Sequence, residues 1–415
     1  MGRRRRKQIP TEPVEADIES LSHDGRGVAR VEGKAVFVDN ALPGERVVFR
    51  YTWTRRRFDE ARTETVLEPA PERVEPPCPH TDICGGCSLQ HMDPEAQLER
   101  KQAILAEQLD HFGGLEPREW LEPLRGPVTG YRGQARLGVK YLDERGTLVG
   151  FREKRKSFVA DIRQCEVLLP ELGQRLTELR ELINGLETRH RIPQIEVSAG
   201  EDALALVFRH LDPLPDSDRQ ALADFCRERG WHCYLQPGNE STVHRIWPEA
   251  GAERLHIRHP DYEVELAFHP VDFMQVNPAV NRYMVPRALE LLDAGPQHRV
   301  LDLFCGLGNF SLPLARTAAS VTGVEAAQAM VERGYENARH NGVDNAEFHA
   351  WDLTRDPSRQ PWASGGFERV LLDPPRSGAA EMIEHLPKLG AERVVYVSCN
   401  PATLARDAGE LTRHG

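Results

Sequence analysis

Two motifs near the carboxyl end of the chain carry the residues best suited to chemistry. Leu372-Asp-Pro-Pro-Arg-Ser-Gly378 and Val397-Ser-Cys-Asn-Pro-Ala-Thr403 each follow a short apolar run that is typical of a buried strand. In an open parallel sheet, ligands bind at the carboxyl ends of the strands. We therefore expect Asp373 and Cys399 to face one crevice together with a cofactor.

Cys399 is the candidate nucleophile. It precedes Asn400-Pro401, a pair that predicts a helix N-cap followed by Pro at the first helical position. The dipole of such a helix favours the thiolate, which is the reactive form of cysteine. A cysteine considered by itself is more often a buried structural residue. The neighbouring motifs favour the catalytic interpretation.

A glycine loop predicts a cofactor site. Val300-Leu-Asp-Leu-Phe-Cys-Gly-Leu-Gly-Asn-Phe310 is a buried strand leading into a loop in which Gly306 and Gly308 allow a ligand to approach the backbone. Ser311 stands where a dinucleotide fingerprint has its third glycine, which favours S-adenosylmethionine over NAD. Glu325 ends the next predicted strand, where a carboxylate accepts both ribose hydroxyls. The alternative is a tight turn with an exposed glutamate.

Three cysteines lie close together in Cys78-Pro-His-Thr-Asp-Ile-Cys84-Gly-Gly-Cys87, and the two glycines let the backbone fold around a metal. A zinc site or a four-iron cluster needs a fourth thiolate, for which Cys165 is the best candidate. His80 is a possible ligand, although a loop residue is the simpler interpretation. The spacing does not distinguish zinc from iron-sulfur.

Strands and helices alternate from about residue 272. Helices are predicted to begin near Phe310, Ala326 and Ala379, and the predicted strands are Arg299–Phe304, Ser320–Glu325, Arg369–Asp373 and Arg393–Ser398. This alternation predicts a doubly wound, Rossmann-like α/β domain with parallel strands over residues 272–415.

The first part of the chain, residues 8–68, contains short alternating stretches separated by turns, which predict a small β-barrel: Val14–Ile18, Gly27–Val31, Ala35–Val38 and Arg46–Arg50. Arg55, Arg56 and Arg57 favour RNA binding by this barrel over a purely structural role.

Residues 69–271 are predicted to form a central α+β region that carries the cysteine cluster. It begins with a proline-rich linker over 69–77. A helix is predicted from Asp93-Pro94 to a Gly113-Gly114 stop. It lies in a helical segment, taken as 93–125, that is expected to pack on the C-terminal domain. One further helical stretch is predicted after Pro170.

The composition of the 415 residues, with 40% hydrophobic and 28% charged, is typical of a soluble globular protein of two or three domains. A net charge of −11 excludes a uniformly basic nucleic-acid binder. Residues 1–66 (14 basic, 11 acidic) and 126–164 (9 basic, 4 acidic) nevertheless predict local phosphate contacts. The basic start, Met1–Lys7, lacks the apolar stretch of a signal peptide, so we expect a cytoplasmic protein without membrane contact or disulfides.

Together, these motifs resemble the RNA 5-methyluridine methyltransferase family over nearly the whole chain. Residues 8–68 resemble the TRAM domain, an OB-like RNA-binding module. The motif of highest specificity is Ser398-Cys-Asn-Pro-Ala-Thr-Leu-Ala-Arg-Asp407. Further matching motifs are Tyr131-Arg-Gly-Gln-Ala-Arg136, Gly150-Phe-Arg152 and Asp272-Phe-Met-Gln-Val-Asn277. The TRAM domain and the cysteines together favour the branch that acts on 23S rRNA.

The resemblance implies a multidomain α/β protein with an N-terminal OB-like TRAM β-barrel, a central α+β domain and a C-terminal class I methyltransferase domain. It implies a [4Fe-4S] cluster on Cys78, Cys84, Cys87 and Cys165. It also implies S-adenosylmethionine contacts at Gln275, Phe304, Asn309, Glu325, Asp352 and Asp373. A close family member has Asn at the position of Asp352.

The implied reaction explains why a thiol is needed, since carbon 5 of uracil is too weak a nucleophile to take a methyl group unaided. Addition of Cys399 at carbon 6 makes an enolate that is nucleophilic at carbon 5. A uridine in folded 23S rRNA must be single-stranded or flipped out to reach such a site. No obligatory protein partner is implied.

The chain departs from the family pattern at its end. In the family, further strands follow with a His-x-Glu whose glutamate is the proton-abstracting base. Because this chain ends at His414-Gly415, we expect the C-terminal domain to be truncated and the base to lie beyond residue 415. We therefore assign no general base, and we expect Asp373 to position cofactor or uracil.

Three other functions fit parts of the pattern. One is methylation of another uridine in rRNA or tRNA, and another is a non-catalytic RNA-binding protein with a structural metal. A radical enzyme with a TRAM domain is the third. Its cluster loop would be C-x3-C-x2-C, whereas this chain has C-x5-C-x2-C. The Rossmann-like pattern also fits a radical enzyme poorly.

Overall fold

The computed structural model describes residues 9–364 and 366–414. The predicted basic arm, Met1–Lys7, lies outside the described residues, as do Gln8, Gly365 and Gly415. The chain separates into two compact units, one within residues 1–108 and 152–158 and the other within 109–151 and 159–415. The predicted domain boundaries near residues 68 and 271 stay a prediction.

The first unit contains a six-stranded sheet whose order is β1-β5-β6-β4-β3-β2. Alternate residues of its strands, including Val36, Val47 and Phe49, are buried in one apolar core. Closure of this sheet into an OB-like barrel stays a prediction. Its strands are β1 Val14–Asp17, β2 Ser20–Leu21, β3 Gly27–Val31, β4 Lys34–Asp39, β5 Arg46–Thr54 and β6 Phe58–Glu68.

The first unit also contains a capped helix. Helix α1 spans Pro94–Gln108, and the Asp93 carboxylate accepts hydrogen bonds from the backbone N–H of Glu95 (3.0 Å) and Ala96 (3.2 Å). The cap satisfies amides that otherwise have no partner in the first turn. The predicted start of this helix is therefore confirmed.

The predicted extent of that helical segment, 93–125, is wrong beyond Gly113. In the second unit a π-helical turn, Leu109–Gly113, is followed by residues without regular secondary structure. Gly114 adopts a φ of +63°, a left-handed conformation that ends helices, and Pro117 cannot supply a helical N–H. The π-helical turn packs on the last helix, where Gly113 contacts the backbone of Gly409.

The central sheet of the second unit has the order β12-β11-β10-β9-β7-β8. The single helical stretch predicted after Pro170 is incomplete, because three helices cover this sheet: α2 Pro170–Gly173, α3 Leu176–Gly185 and α4 Asp216–Arg227. The strands are β7 Gln134–Leu142, β8 Gly146–Gly150, β9 Gln194–Ala199, β10 Leu204–Arg209, β11 His232–Gln236 and β12 His244–Trp247. A two-stranded ribbon follows, with β13 Leu255–His259 and β14 Val264–Phe268.

The C-terminal sheet is entirely parallel, with the order β17-β16-β15-β18-β19. Its strands are β15 Arg299–Leu303, β16 Ser320–Glu325, β17 Ala346–Ala350, β18 Arg369–Leu372 and β19 Arg393–Tyr396. The helices are α5 Pro278–Leu292, α6 Ser311–Ala315, α7 Gln328–His340, α8 Ala380–Ile383, α9 Leu386–Leu389 and α10 Pro401–Arg413. Separate apolar clusters cover its two faces. The predicted doubly wound α/β fold is confirmed, and β17 is a strand that the sequence pattern did not reveal.

Five short helical turns complete the described secondary structure; besides the π-helical turn they are Arg189–Arg191, Glu240–Thr242, Pro260–Tyr262 and Pro361–Ser364. Across residues 9–364 and 366–414, no helix combines the length and the apolar composition that crossing a bilayer requires.

Candidate active site

The carboxyl ends of five neighbouring strands supply most of the predicted site residues. In spatial order, the strands β17, β16, β15, β18 and β19 are followed or ended by Asp352, Glu325, Phe304, Asp373 and Cys399. Because the strands are parallel, these residues share one edge of the sheet. Asp352, Glu325 and the glycine loop therefore lie toward one side of that edge, and Asp373 and Cys399 lie toward the other.

The glycine loop after β15 leaves room for a ligand to approach the backbone closely. Gly306 and Gly308 have φ values of +56° and +99°, and Phe304 also has a positive φ of +65°. A Cβ placed on Gly306 would meet only the Met330 methyl group, at 3.7 Å, so this face of the loop is open. Only glycine leaves that space for a ligand.

Glu325 is held beside the loop. Its carboxylate accepts hydrogen bonds from the backbone N–H of Gly306 (3.2 Å) and of Ala327 (3.0 Å). These bonds fix the side chain at the carboxyl end of β16 rather than leaving it free in solvent. A carboxylate fixed next to an open glycine fits the sugar and amino groups of a nucleoside cofactor.

Beneath the loop, Asp302 is fully buried. One of its oxygens accepts a 2.5 Å hydrogen bond from the Ser311 hydroxyl, and the other has no partner among the described residues. Burial raises the pKa of Asp302 to about 7, and the hydrogen bond from Ser311 opposes this shift. The carboxyl group is therefore mainly protonated below about pH 7 and mainly charged above it.

Asn309 is held by a polar group behind the loop. Its side-chain amide exchanges two 3.0 Å hydrogen bonds with that of Asn281, and its oxygen lies 3.0 Å from Nε2 of His259. Burial lowers the pKa of His259, which favours the neutral ring. The structure thus fixes Asn309, and its predicted contact with the cofactor stays a prediction.

Asp352 lies in a turn two residues after β17. Its carboxylate accepts hydrogen bonds from the Thr354 N–H (3.1 Å) and hydroxyl (2.7 Å) and pairs with Arg355 at 3.1 Å. The hydrogen bonds from Thr354 lower the pKa of Asp352. A charged, half-exposed carboxylate at this edge is available to a ligand over β16 and β17.

Asp373 and Gln275 meet across the site. The Gln275 amide donates a 3.1 Å hydrogen bond to Oδ2 of Asp373. Burial raises the pKa of Asp373 to about 6, and the bond from Gln275 opposes the shift. Two residues before Gln275, Phe273 is 72% exposed on the same loop. The sequence motif Asp272–Asn277 gives no role to this phenylalanine, since the exposure of an aromatic ring is not visible in a residue pattern.

Cys399 is exposed, and the structural alternative of a buried cysteine does not apply. Asn400 caps α10 by accepting a hydrogen bond from the Ala402 N–H at 3.1 Å, as predicted. The Val397 N–H bonds the Leu372 carbonyl at 2.7 Å, which joins the segment before Cys399 to the end of β18. The sulfur is therefore accessible at the mouth of the sheet.

The predicted metal cysteines are divided between the two units. Cys78, Cys84 and Cys87 belong to the first, and Cys165 belongs to the second. The Gly86 N–H donates to the Cys84 sulfur at 3.4 Å. Within the described ranges, no three His, Cys, Asp or Glu side chains are grouped so that they could hold a metal ion.

The second unit contains a methyltransferase-like α/β fold. This follows from the order of its parallel strands, the open glycine loop and the edge of the sheet at which the predicted site residues lie. Comparison with known proteins names the family. The model of the family described as tRNA (Uracil-5-)-methyltransferase matches residues 93–356 and 361–414, and the TRAM domain model matches 11–62. The chain belongs to the uracil-5-methyltransferase family and carries a TRAM domain, so the resemblance read from its motifs is confirmed.

Individual relatives are similar over nearly their whole length. A protein of Alcanivorax borkumensis named 23S rRNA (uracil(1939)-C(5))-methyltransferase RlmD is 64% identical over 99% of this chain and 93% of its own. An Alkalilimnicola ehrlichii protein of the same name is 56% identical, covering 100% and 93%. The crystal structure of the Pyrococcus abyssi tRNA (uracil-54, C5)-methyltransferase in complex with S-adenosyl-L-homocysteine is 25% identical. It superposes with a TM-score of 0.70, covering 95% of this chain and 92% of that one.

Proposed function

We propose that this enzyme methylates carbon 5 of a specific uridine in 23S rRNA, using S-adenosylmethionine and a covalent bond between Cys399 and carbon 6 of the base. The main support for the proposal is that the predicted site residues lie at one edge of the parallel sheet, the edge where its strands end. These residues are Asp352, Glu325, the glycine loop, Asp373 and Cys399. The 64% identity to a relative named for 23S rRNA supports the substrate class.

The exposed sulfur of Cys399 would start the reaction. Its addition to carbon 6 forms the S–C6 bond and moves the ring electrons onto carbon 5 and the carbonyl oxygen of carbon 4. Carbon 5 would then take the methyl group from the sulfonium, which would leave as the thioether S-adenosylhomocysteine. A base would remove the carbon-5 proton, and the Cys399 thiolate would leave carbon 6 as the C5–C6 double bond forms again. We assign no residue within 9–414 as that base.

S-adenosylmethionine would supply an electrophilic methyl group on a sulfonium. The residues proposed to bind it are Gln275, Phe304, Asn309, Glu325, Asp352 and Asp373. Glu325 and the open face of Gly306 fit its nucleoside. Asp373 and Cys399 follow the neighbouring strands β18 and β19, so they would receive the base to which the methyl group is transferred.

Phe273 is suited to hold the flipped base. Its exposed ring stands on the loop that carries Gln275, and stacking of a base on an aromatic side chain contributes about 1–3 kcal/mol. Since a uridine removed from its stack loses that interaction in the RNA, a protein ring next to the site offsets part of the cost.

The turn between β5 and β6, in the first unit, is suited to bind RNA. Trp53 is half-exposed, and the Arg55 guanidinium lies 5.7 Å from the centroid of its ring. Arg56 and Arg57 are exposed at the turn, and neither forms an ion pair with a described residue. Unpaired arginines beside an exposed aromatic ring combine phosphate contact with base stacking.

We also propose a [4Fe-4S] cluster held by Cys78, Cys84, Cys87 and Cys165, as the family resemblance implies. The support is the chemistry of four thiolates and the donation of the Gly86 N–H to the Cys84 sulfur, a bond that stabilises thiolate ligands. Its role would be structural or in RNA positioning, because methyl transfer from a sulfonium is not a redox reaction. Iron and sulfide analysis of anaerobically purified protein tests this, and stoichiometric zinc without iron would contradict it.

The second candidate substrate is tRNA, because the P. abyssi protein acts on a tRNA uracil. Trapping the covalent protein–RNA adduct distinguishes the two candidate substrates, 23S rRNA and tRNA. Protein is incubated with labelled S-adenosylmethionine and with 23S rRNA or tRNA that contains 5-fluorouridine, whose fluorine blocks the final elimination. We expect a covalent protein–RNA adduct with 23S rRNA, its loss in Cys399→Ala, and its retention in Cys226→Ala, a buried cysteine of α4 outside the site. No adduct with either RNA refutes the proposed function, and an adduct with tRNA alone corrects the substrate.

A further inference from the structure

A buried carboxylate on α10 links the elements around Cys399. Asp407 is 1% exposed. One of its oxygens accepts hydrogen bonds from the Ala379 N–H (2.7 Å) and from the Tyr396 hydroxyl (2.6 Å). The other accepts a bond from Nε of Arg406 at 2.7 Å. A single side chain thus binds the segment after β18, the last residue of β19 and its own helix.

The same face of α10 binds the backbone of the segment 376–379. The Asn400 amide donates to the Arg376 carbonyl at 2.9 Å, and the Arg406 guanidinium donates to the Ser377 carbonyl at 2.9 Å. Gly378 has a φ of +84°, and a Cβ there would lie 2.5 Å from the Asp407 carboxylate. The close approach of the segment to Asp407 therefore depends on glycine.

This contact connects the two halves of the proposed reaction site. The segment 376–379 continues directly from Asp373-Pro374-Pro375, whereas Tyr396 precedes Cys399 by three residues and α10 follows it. Any shift of α10 against the segment would change the separation between Cys399 and Asp373. The rate of bond formation depends steeply on the distance between the reacting groups, and a displacement of about 1 Å lowers the rate roughly 100-fold.

We propose that Asp407 is a positioning residue that sets the placement of Cys399 relative to Asp373 through Ala379 and Tyr396. This inference rests on the proposed function and adds to it a residue to which the resemblance implied no role. Asp407 is not a catalytic residue, because its carboxylate is buried and both oxygens are occupied by hydrogen-bond donors from Ala379, Tyr396 and Arg406.

Asp407→Asn is the sharpest variant. Asparagine keeps the size of the side chain, but one oxygen becomes an N–H₂ donor that must face either the Ala379 N–H or the Arg406 guanidinium. Both are donors, so one interaction becomes repulsive and the segment moves. Tyr396→Phe removes only one of the bonds. Glu410→Gln is the matched control on the same helix, where a half-exposed carboxylate pairs with Arg413 at 2.6 Å.

The experiment measures three quantities in each variant: S-adenosylmethionine binding stoichiometry and Kd, RNA Kd, and the rate of adduct formation with 5-fluorouridine rRNA at saturating cofactor. For Asp407→Asn we expect full stoichiometry, both Kd values within about threefold of wild type, and an adduct rate about 100-fold lower. Tyr396→Phe should lower the rate about three- to tenfold, and Glu410→Gln should match wild type.

The outcomes separate positioning from folding. If Asp407→Asn loses adduct rate only in proportion to its loss of cofactor-binding sites, the role is structural and the proposal is overturned. If that variant does not fold, an unchanged adduct rate in Tyr396→Phe overturns it. Absence of an adduct in wild-type protein would instead refute the proposed function.

Discussion

The amide of Gln275 donates a hydrogen bond to the carboxylate of Asp373 at 3.1 Å, joining residues that are 98 positions apart in the chain. Gln275 lies in the segment between β14 and α5, whereas Asp373 directly follows β18. Phe273, whose ring is 72% exposed, lies two residues before Gln275 in the same segment. The bond from Gln275 stabilises the charged form of a carboxyl group whose burial favours the protonated form.

Activity should therefore depend on the ionisation of Asp373. With its pKa raised to about 6, cofactor-dependent methylation should fall as the pH drops through that value. Gln275→Leu removes the bond that lowers the pKa, so the acid limb of the single-turnover rate should move to higher pH. Gln220→Leu on α4 is the control. An acid limb that stays in place would show that Asp373 does not titrate in the reaction.

Glu325→Gln should weaken S-adenosylmethionine binding about 10- to 100-fold, because a hydrogen bond to a charged group contributes about 1.5–3 kcal/mol. RNA affinity should not change, since Glu325 lies at the proposed cofactor side of the sheet. Calorimetric titration measures the cofactor Kd. Glu332→Gln, an exposed glutamate on α7, is the matched control. Equal cofactor affinity in both variants would remove Glu325 from the binding site.

Burial of Asp302 should make the free energy of unfolding decrease as the pH rises. Because its pKa is raised to about 7 in the folded protein, the folded state binds a proton that the unfolded state releases above its pKa of about 3.9. Protonated Asp302 therefore contributes most to the free energy of unfolding at low pH. This contribution is lost as the pH rises from about 4 to about 7. The effect is at most about 4 kcal/mol.

Asp302→Asn should abolish that contribution and stabilise the protein at pH 8 more than at pH 5. The difference in melting temperature between variant and wild type, measured at both pH values, isolates this group from other titrating residues. A difference that is the same at both pH values would mean that Asp302 is charged in the folded protein.

Arg56 and Arg57 should bind phosphates of the RNA. Replacing both with Gln should weaken RNA binding and reduce the slope of log K against log salt by about 0.7 for each single-strand phosphate that the variant no longer neutralises. Arg50→Gln is the control, since Arg50 in the same sheet is already paired with Glu64 at 2.7 Å. Filter binding across salt concentrations provides the slopes. Parallel lines for the double variant and wild type would exclude the β5–β6 turn from the interface.

Phe273→Ala should lower RNA affinity and adduct rate without changing cofactor affinity. Removal of one base-stacking interaction of about 1–3 kcal/mol predicts an effect of roughly 5- to 150-fold on the adduct step. Phe273→Trp should retain most of the activity, because a larger ring still stacks. Loss of activity in both variants to the same extent would assign the residue to packing instead.

Local patterns were enough to predict much of the C-terminal half. The glycine loop, the N-cap at Asn400 and four of the five parallel strands follow from short-range features that fold the same way in many chains. Strand β17, Ala346–Ala350, was missed because it is only partly buried and contains Glu347 and His349, so its residues lack a continuous apolar run. The helix stop predicted at Gly113-Gly114 agrees with the end of the π-helical turn at Gly113 and the left-handed conformation of Gly114, whereas the wider helical segment 93–125 was extended too far.

The sequence by itself determined the family of this protein and predicted its chemistry, because a cysteine before a helix N-cap, a glycine loop and strand-end acids are local motifs that can be recognised without coordinates. Only the tertiary structure decided which groups act together. Two hydrogen bonds join positions far apart in the chain: one between Gln275 and Asp373, and one between Asp407 and the backbone of Ala379. Burial in the folded protein raises the pKa values of Asp302 and Asp373. Burial and long-range hydrogen bonds arise from how strands and helices pack, and no local pattern of residues encodes them.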